Sequence, residues 1–262
     1  MRNRKPDMES ESLGEMGWMS HLVELRNRLL RSVLAVLLLF LGLVYFSNPI
    51  YSCLAEPLMR HLPAGSQMIA IEVASPFLTP FKLTLAVAVF LAVPFILYEA
   101  WAFVAPGLYR HERRVFIPLL LASTILFYVG IAFAYFAVFP VIFGFMAAAA
   151  PQGVAVMTDI SHYLDFVLSL LLAFGAVFEV PILTLLLVKS GAVDYRDLKE
   201  KRPYAIVAAF VVGAVLTPPD VISQTLMAVP IWLLFEVGVV LAYFSTAKSS
   251  QDAETPATQD IG

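Results

Sequence analysis

The feature that most limits what this chain can become is the length of its charge-free apolar runs. No acidic or basic side chain occurs between Val115 and Met157, and similar blocks follow Arg31, precede Glu99, flank Glu179 and fill the stretch after Asp220. In a bilayer a β-strand needs roughly ten residues and a helix roughly twenty. These runs are far longer than a strand and do not alternate, so they predict helices whose backbone groups are satisfied internally. Composition agrees: 60% of the residues are hydrophobic and 14% charged, against roughly a quarter charged in a soluble domain. The expected class is an all-α membrane protein.

Turn and breaker residues divide the runs into six spans. The first covers about Leu29–Phe46 and stops at Asn48-Pro49; the second covers about Phe77–Trp101, and the third about Val115–Pro140. The fourth covers about Tyr163–Val188, the fifth is short at about Tyr204–Leu216, and the sixth covers about Ile222–Tyr243. A polar arm, residues 1–19, precedes this membrane domain of residues 20–244, and a polar tail, 245–262, follows it and is expected to be disordered. The polar Met1–Ser20 stretch and the lack of a small-residue cleavage site after the first apolar block mark that block as a retained helix. The fifth span, at about 20 Å of helix, is shorter than a hydrocarbon core of roughly 30 Å, which calls for local thinning or shielding by neighbours. Pro94, Pro118, Pro140, Pro181 and Pro230 lie inside or at the ends of spans and predict kinks. No internal repeat is visible.

Parity settles the long stretch from Val115 to Met157, which has room for two crossings. With six spans, Arg2, Arg4, Lys5, Arg26, Arg28, Arg31, then Arg110, Arg113, Arg114, then Lys189, Arg196, Lys199, Lys201, Arg202, and finally Lys248 share one side. Of the 17 basic residues only Arg60 and Lys82 remain opposite. Two crossings there would move the Lys189–Arg202 cluster to the other side, against the positive-inside rule. Both termini are therefore expected on the cytoplasmic side.

Carboxylates are the groups most able to carry function. Glu179, in Phe178-Glu179-Val180-Pro181, has long apolar sequence on both sides, and a charge there costs at least a few kcal/mol. It is either a neutral group hydrogen-bonded between helices or a polar contact for a partner helix; Glu99 and Glu236 pose the same choice nearer span ends. Glu24 lies on an amphipathic lead-in to the first span, with Leu22, Leu25 and Leu29 as its apolar stripe. Glu24 and Arg28 stand four apart, a spacing that gives a local ion pair worth a few tenths of a kcal/mol. Glu112, in Tyr109-Arg110-His111-Glu112-Arg113-Arg114, balances a basic loop. Together Glu24 and Glu112 put two carboxylates on one face, where a cationic ligand could be held through guanidinium–carboxylate forks.

The lone Cys53 excludes an internal disulfide and a Cys-based metal site. His21, His61, His111 and His162 divide between the two sides of the membrane, and no phosphate-binding loop, HExxH or Gly-x-Ser-x-Gly motif occurs. No cofactor, metal, catalytic residue or nucleic-acid partner is implied; any energy source lies in a partner or the membrane potential.

Several motifs in order resemble the TatC family, the large subunit of the twin-arginine protein translocase. They are His21-Leu22-Val23-Glu24-Leu25-Arg26, Ser75-Pro76-Phe77, and Glu99-Ala100-Trp101-Ala102-Phe103-Val104-Ala105-Pro106-Gly107-Leu108-Tyr109 with His111-Glu112-Arg113-Arg114. Further along come Phe174-Gly175 with Phe178-Glu179-Val180-Pro181, Lys201-Arg202-Pro203-Tyr204, Leu216-Thr217-Pro218-Pro219-Asp220, and Ser223-Gln224. The resemblance covers about Ser20–Tyr243. It implies a cup-like array of six helices in the bacterial inner membrane, with short fifth and sixth helices. It implies a receptor for twin-arginine signal peptides that exports folded proteins with TatA- and TatB-like single-span subunits on the proton-motive force. Copies of the chain are expected within that hetero-oligomeric complex.

By the same resemblance, Glu24 and Glu112 match residues that bind the twin arginines, and Phe103 matches a recognition position in the first cytoplasmic loop. Glu179 matches the intramembrane glutamate, Thr217 and Gln224 a polar patch where partner helices dock, and Pro57 and Asp220 outer-face positions needed for transport. Glu99 departs from the family's Gln. Ionised, it would add a negative charge near the loop; neutral, it would mimic Gln, which its aromatic neighbours favour. The alternative function is a proton- or ion-coupled small-solute carrier using Glu179, but the repeats and paired broken helices of such carriers are missing. An intramembrane protease would need a Ser–His or Asp pair at plausible depth, which the sequence lacks.

Overall fold

The computed structural model describes residues 6–52, 67–108, 113–149, 157–191, 193–216 and 221–253. In chain order they form α1 (Pro6–Leu43), β1 (Gln67–Ile69), α2 (Ser75–Leu108), α3 (Arg113–Phe133), α4 (Phe139–Ala149), β2 (Met157–Asp159), α5 (Ile160–Val177), α6 (Val180–Lys189), α7 (Tyr195–Glu200), α8 (Arg202–Leu216) and α9 (Val221–Ala253). Five stretches are long and apolar enough to cross a membrane: Met19–Ser52, Ser75–Phe103, Phe116–Phe145, Ile160–Lys189 and Gln224–Ser245. The short apolar helix Arg202–Leu216 stands where the fifth span was expected. Its 15 residues give about 22 Å of helix.

Two of the five prolines accompany helix irregularities, whereas Pro94, Pro118 and Pro230 lie within continuous helices. Pro140 has no N–H for the carbonyl four residues back, and the chain before it widens into a π turn over Ala134–Val138. The fourth span differs from the expected single helix. Pro181 cannot bond to residue 177, and the helix breaks at Phe178–Glu179 before restarting as α6. The backbone amides of Ile182 and Leu183 then bond to the Glu179 carbonyl at 3.0 and 2.9 Å. Gly191, at φ +71°, ends α6 in the left-handed conformation that glycine adopts without a Cβ clash.

Several helices run beyond their expected ends. α1 starts at Pro6, so the amphipathic lead-in and the first span are one helix; α2 continues to Leu108, and α9 to Ala253.

Packing is pairwise. α1 lies along α2, α3 along α5, and α9 contacts both α6 and α8. The main core joins the π turn and α4 to α5 through Val138, Phe139, Ile142, Leu164, Val167, Leu170 and Phe174. A second cluster holds Trp101 of α2 against Ile182 and Leu186 of α6. α3 and α5 approach closely, since a Cβ on Gly130 would lie 2.6 Å from the Phe174 carbonyl oxygen and one on Gly175 would lie 2.7 Å from the Phe127 ring. Outward faces carry large apolar side chains such as Leu30, Leu34, Leu41, Ile125 and Val215, a surface suited to lipid.

The all-helical expectation omitted one feature. β1 and β2 pair in parallel, with Gln67 opposite Met157, Met68 opposite Thr158 and Ile69 opposite Asp159. The pair sits on top of α2 and α5, where Ser161 Oγ shares hydrogen bonds with Ser75 at 2.8 Å and Thr79 at 3.2 Å. Asp159 caps α5 through the amides of Ser161 (2.9 Å) and His162 (3.1 Å), and its other oxygen accepts from the Ile71 amide at 2.9 Å. Those three donors hold its carboxyl below the usual carboxylate range.

Candidate functional site

The sequence-predicted residues fall at three places within the described structure. The first is the seam between α1 and the far end of α2. Glu24 and Arg28 form the anticipated pair, with Arg28 Nη2 and Nε at 2.7 and 3.0 Å from Glu24 Oε1. Arg28 also reaches across the seam, and its Nη1 donates to Glu99 Oε2 at 2.9 Å. Arg31 Nη1 lies 3.6 Å from Glu99 Oε1. Glu99, 4% exposed, is thus buried among guanidinium groups.

One turn further along α2, the Phe103 ring stacks on His21 of α1, with centroids 4.2 Å apart and 17° between planes. Phe103 therefore stands on the last turns of α2 and not in a loop. Glu24, Arg28, Glu99, His21 and Phe103 make one continuous strip of charged and aromatic groups. Glu112 lies outside the described residues.

The second place is the helix break. Ser123 Oγ of α3 donates to Glu179 Oε2 and accepts from the Trp101 indole N–H at 3.0 Å. Ser123, Glu179 and Trp101 are all buried, and Oε1 of Glu179 has no hydrogen-bond partner among the described residues. Trp101 lies two residues from both Glu99 and Phe103, so it faces away from the α1–α2 strip, toward α3 and α6. Sequence reasoning found Glu179 but not its partners. The available signal was Ser123-Thr124 in a long apolar run, because an intramembrane carboxyl needs a hydroxyl or amide nearby.

Gln224 of α9 donates through Nε2 to the Phe210 carbonyl of α8 at 3.0 Å, so it joins two helices and does not stand alone. Glu236 pairs with Arg202 at 2.7 Å, a second tie between the same two helices. Pro57, Thr217 and Asp220 lie outside the described residues. Among those described, no group of His, Cys, Asp and Glu could hold a metal ion.

Comparison with known proteins names the fold and the motifs together. The family model described as "Sec-independent protein translocase protein (TatC)" matches residues 20–230. The "Sec-independent protein translocase protein TatC" of Azotobacter chroococcum mcd 1 is 58% identical over 235 residues, which is 90% of this chain and 91% of that protein. The Escherichia coli (strain K12) protein of the same name is 55% identical over 235 residues, again 90% and 91% of the two chains. A solved structure titled "Crystal Structure of Twin Arginine Translocase Receptor- TatC" superposes with a TM-score of 0.77 at 39% identity, covering 86% of this chain and 99% of that one. Motif order, helical architecture and identity over nearly the whole chain converge, and the chain belongs to the TatC family of Sec-independent protein translocase proteins.

Proposed function

We propose that this chain is the signal-peptide receptor and core of a twin-arginine export machine in the bacterial inner membrane. The observation that carries the reading is the strip on α1 and α2, where Glu24 and Glu99 hold one guanidinium between them and Phe103 stacks on His21 one turn away. Carboxylates that hold one guanidinium by forked contacts have the chemistry to hold those of an Arg-Arg pair. Glu112 is the next carboxylate after Glu99 in sequence. In this reading Glu24 and Glu112 grip the arginines and Phe103 lines the site, while the peptide's apolar stretch runs toward Glu179.

The chain threads the bilayer six times as a cup, with both termini cytoplasmic and residues 20–244 forming the membrane domain. The arm 1–19 and tail 245–262 flank it. Glu179, Thr217 and Gln224 form the surfaces for TatA- and TatB-like single-span helices. Pro57 and Asp220 act at the outer face, and folded proteins cross on the proton-motive force. Several copies work together within the complex. Membership of a translocase family leaves the solute-carrier alternative unsupported.

Photocrosslinking from positions 103 and 112 to signal peptides carrying Arg-Arg or Lys-Lys tests the receptor role. Selective capture of the Arg-Arg form is expected, and Glu112→Lys is expected to abolish it while the protein remains inserted. Normal export with Glu24 and Glu112 both charge-reversed would overturn the reading. Reporter fusions within residues 190–202 test the threading, which requires that segment to be cytoplasmic.

A further inference from the structure

The α1–α2 carboxylates already hold an internal ligand. Arg28 uses all three guanidinium nitrogens: Nε and Nη2 converge on Glu24 Oε1 at 3.0 and 2.7 Å, and Nη1 meets Glu99 Oε2 at 2.9 Å. The two carboxylates differ in access, with side chains 39% exposed for Glu24 and 5% for Glu99. A guanidinium arriving from outside meets Glu24 first and finds it engaged.

We propose that Arg28 is a specificity-determining residue of the signal-peptide site, an internal guanidinium that occupies Glu24 until a peptide guanidinium replaces it, an inference that rests on the receptor reading above. The exchange is between like groups. A peptide arginine offers the same planar fork as Arg28 and can restore both contacts at Oε1. A lysine offers a compact, strongly hydrated ammonium, which supplies charge without the fork and returns less than it displaces.

Displacement does not strand Arg28, because it retains its bond to Glu99 across the seam. Only the Glu24 contacts are lost in the exchange, so the discrimination falls on the step at which Glu24 changes partner. Arg31, 3.6 Å from the other Glu99 oxygen, keeps the buried carboxylate paired throughout. Without Arg28, Glu24 would be an open carboxylate attracting Arg and Lys nearly alike, so the internal arginine converts a general cation site into one selective for guanidinium.

The test uses the full chain in lipid nanodiscs and a labelled signal peptide in Arg-Arg and Lys-Lys forms, titrated by fluorescence anisotropy at one salt concentration. The proteins are wild type, Glu24→Gln, Arg28→Gln and the double variant Arg28→Gln with Glu99→Gln. Wild type is expected to prefer Arg-Arg. Arg28→Gln is expected to tighten Lys-Lys binding by roughly tenfold, the worth of one charge-assisted hydrogen bond, and to narrow the Arg-Arg to Lys-Lys ratio. The double variant removes the buried carboxylate together with its partner and gives the same narrowing, so it decides the matter if the single variant does not insert. A ratio that fails to narrow, while Glu24→Gln still abolishes Arg-Arg binding, overturns the role of Arg28 and leaves the receptor reading standing. Equal binding of both peptides by wild type, unaffected by Glu24→Gln, overturns the receptor reading and the role of Arg28 with it.

Discussion

Ser123 donates a hydrogen bond to Glu179, so a hydroxyl of α3 is joined to the carboxyl at the break between α5 and α6. The same hydroxyl accepts from Trp101 of α2, and three spans meet at one oxygen atom.

Ser123→Ala removes both bonds and leaves the Trp101 indole N–H and a second Glu179 oxygen without partners. The expected loss is about 1–2 kcal/mol, the range for interhelical hydrogen bonds in membranes once relaxation is counted. Denaturant unfolding in detergent checks it. Ser123→Thr keeps the hydroxyl and should recover most of the loss.

The contact between α3 and α5 depends on missing side chains. Gly130→Ala would push a Cβ to 2.6 Å from a backbone oxygen, which cannot move aside cheaply. A destabilisation of about 1–3 kcal/mol is expected. Gly175→Ala meets the Phe127 ring and should cost less, because a side chain can rotate. Gly144→Ala meets nothing within 4 Å and should be neutral or slightly stabilising through helix propensity. Thermal melts of the three variants would rank them.

Asp159 predicts an acid-sensitive element. Its carboxyl is held below the ordinary range by the amides of Ile71, His162 and Ser161. Because the folded form titrates lower than the unfolded form, this contribution is complete above the ordinary carboxylate range and disappears as pH falls through the lowered value. Stability measured from pH 7 downward should therefore decline more steeply for wild type than for Asp159→Asn, whose amide has no such titration. Parallel curves would contradict the assignment.

Arg202 and Glu236 offer a double-mutant cycle. The pair is partly exposed, with side chains 40% and 21% accessible, so a coupling of about 0.5–1 kcal/mol is expected. Alanine at either position should remove it, and the double variant should be less destabilised than the sum of the single changes.

Much of the fold was legible because a bilayer imposes length, and length is countable. The long runs located five helices of spanning length and the short α8, and Pro140 and Pro181 marked where the helices are distorted or broken. The extent of α1 and α2 was less legible. Polar residues at the ends of a span do not announce whether the helix continues, and Pro6 and Leu108 bound helices that run well past their apolar centres. The β1–β2 pairing was invisible because its three-residue strands are too short for any periodicity and their partners are remote in sequence. At the candidate site, Glu24–Arg28 followed from spacing along one helix. The Arg28–Glu99 contact joins two helices, and only their relative rotation brings it about. Ser123 carried no charge or motif, and its importance comes from what it faces.

The parallel strands carry a consequence for biogenesis. β1 lies just before α2 and β2 just after α4, so residues 67–69 wait for residues 157–159. A nascent chain halted before Met157 would contain α2, α3 and α4 yet lack the clasp at the start of α2. Its Ile71 amide would also lack the carboxylate that receives it in the finished protein. Closure of that clasp therefore waits until the whole segment between the strands has been synthesised.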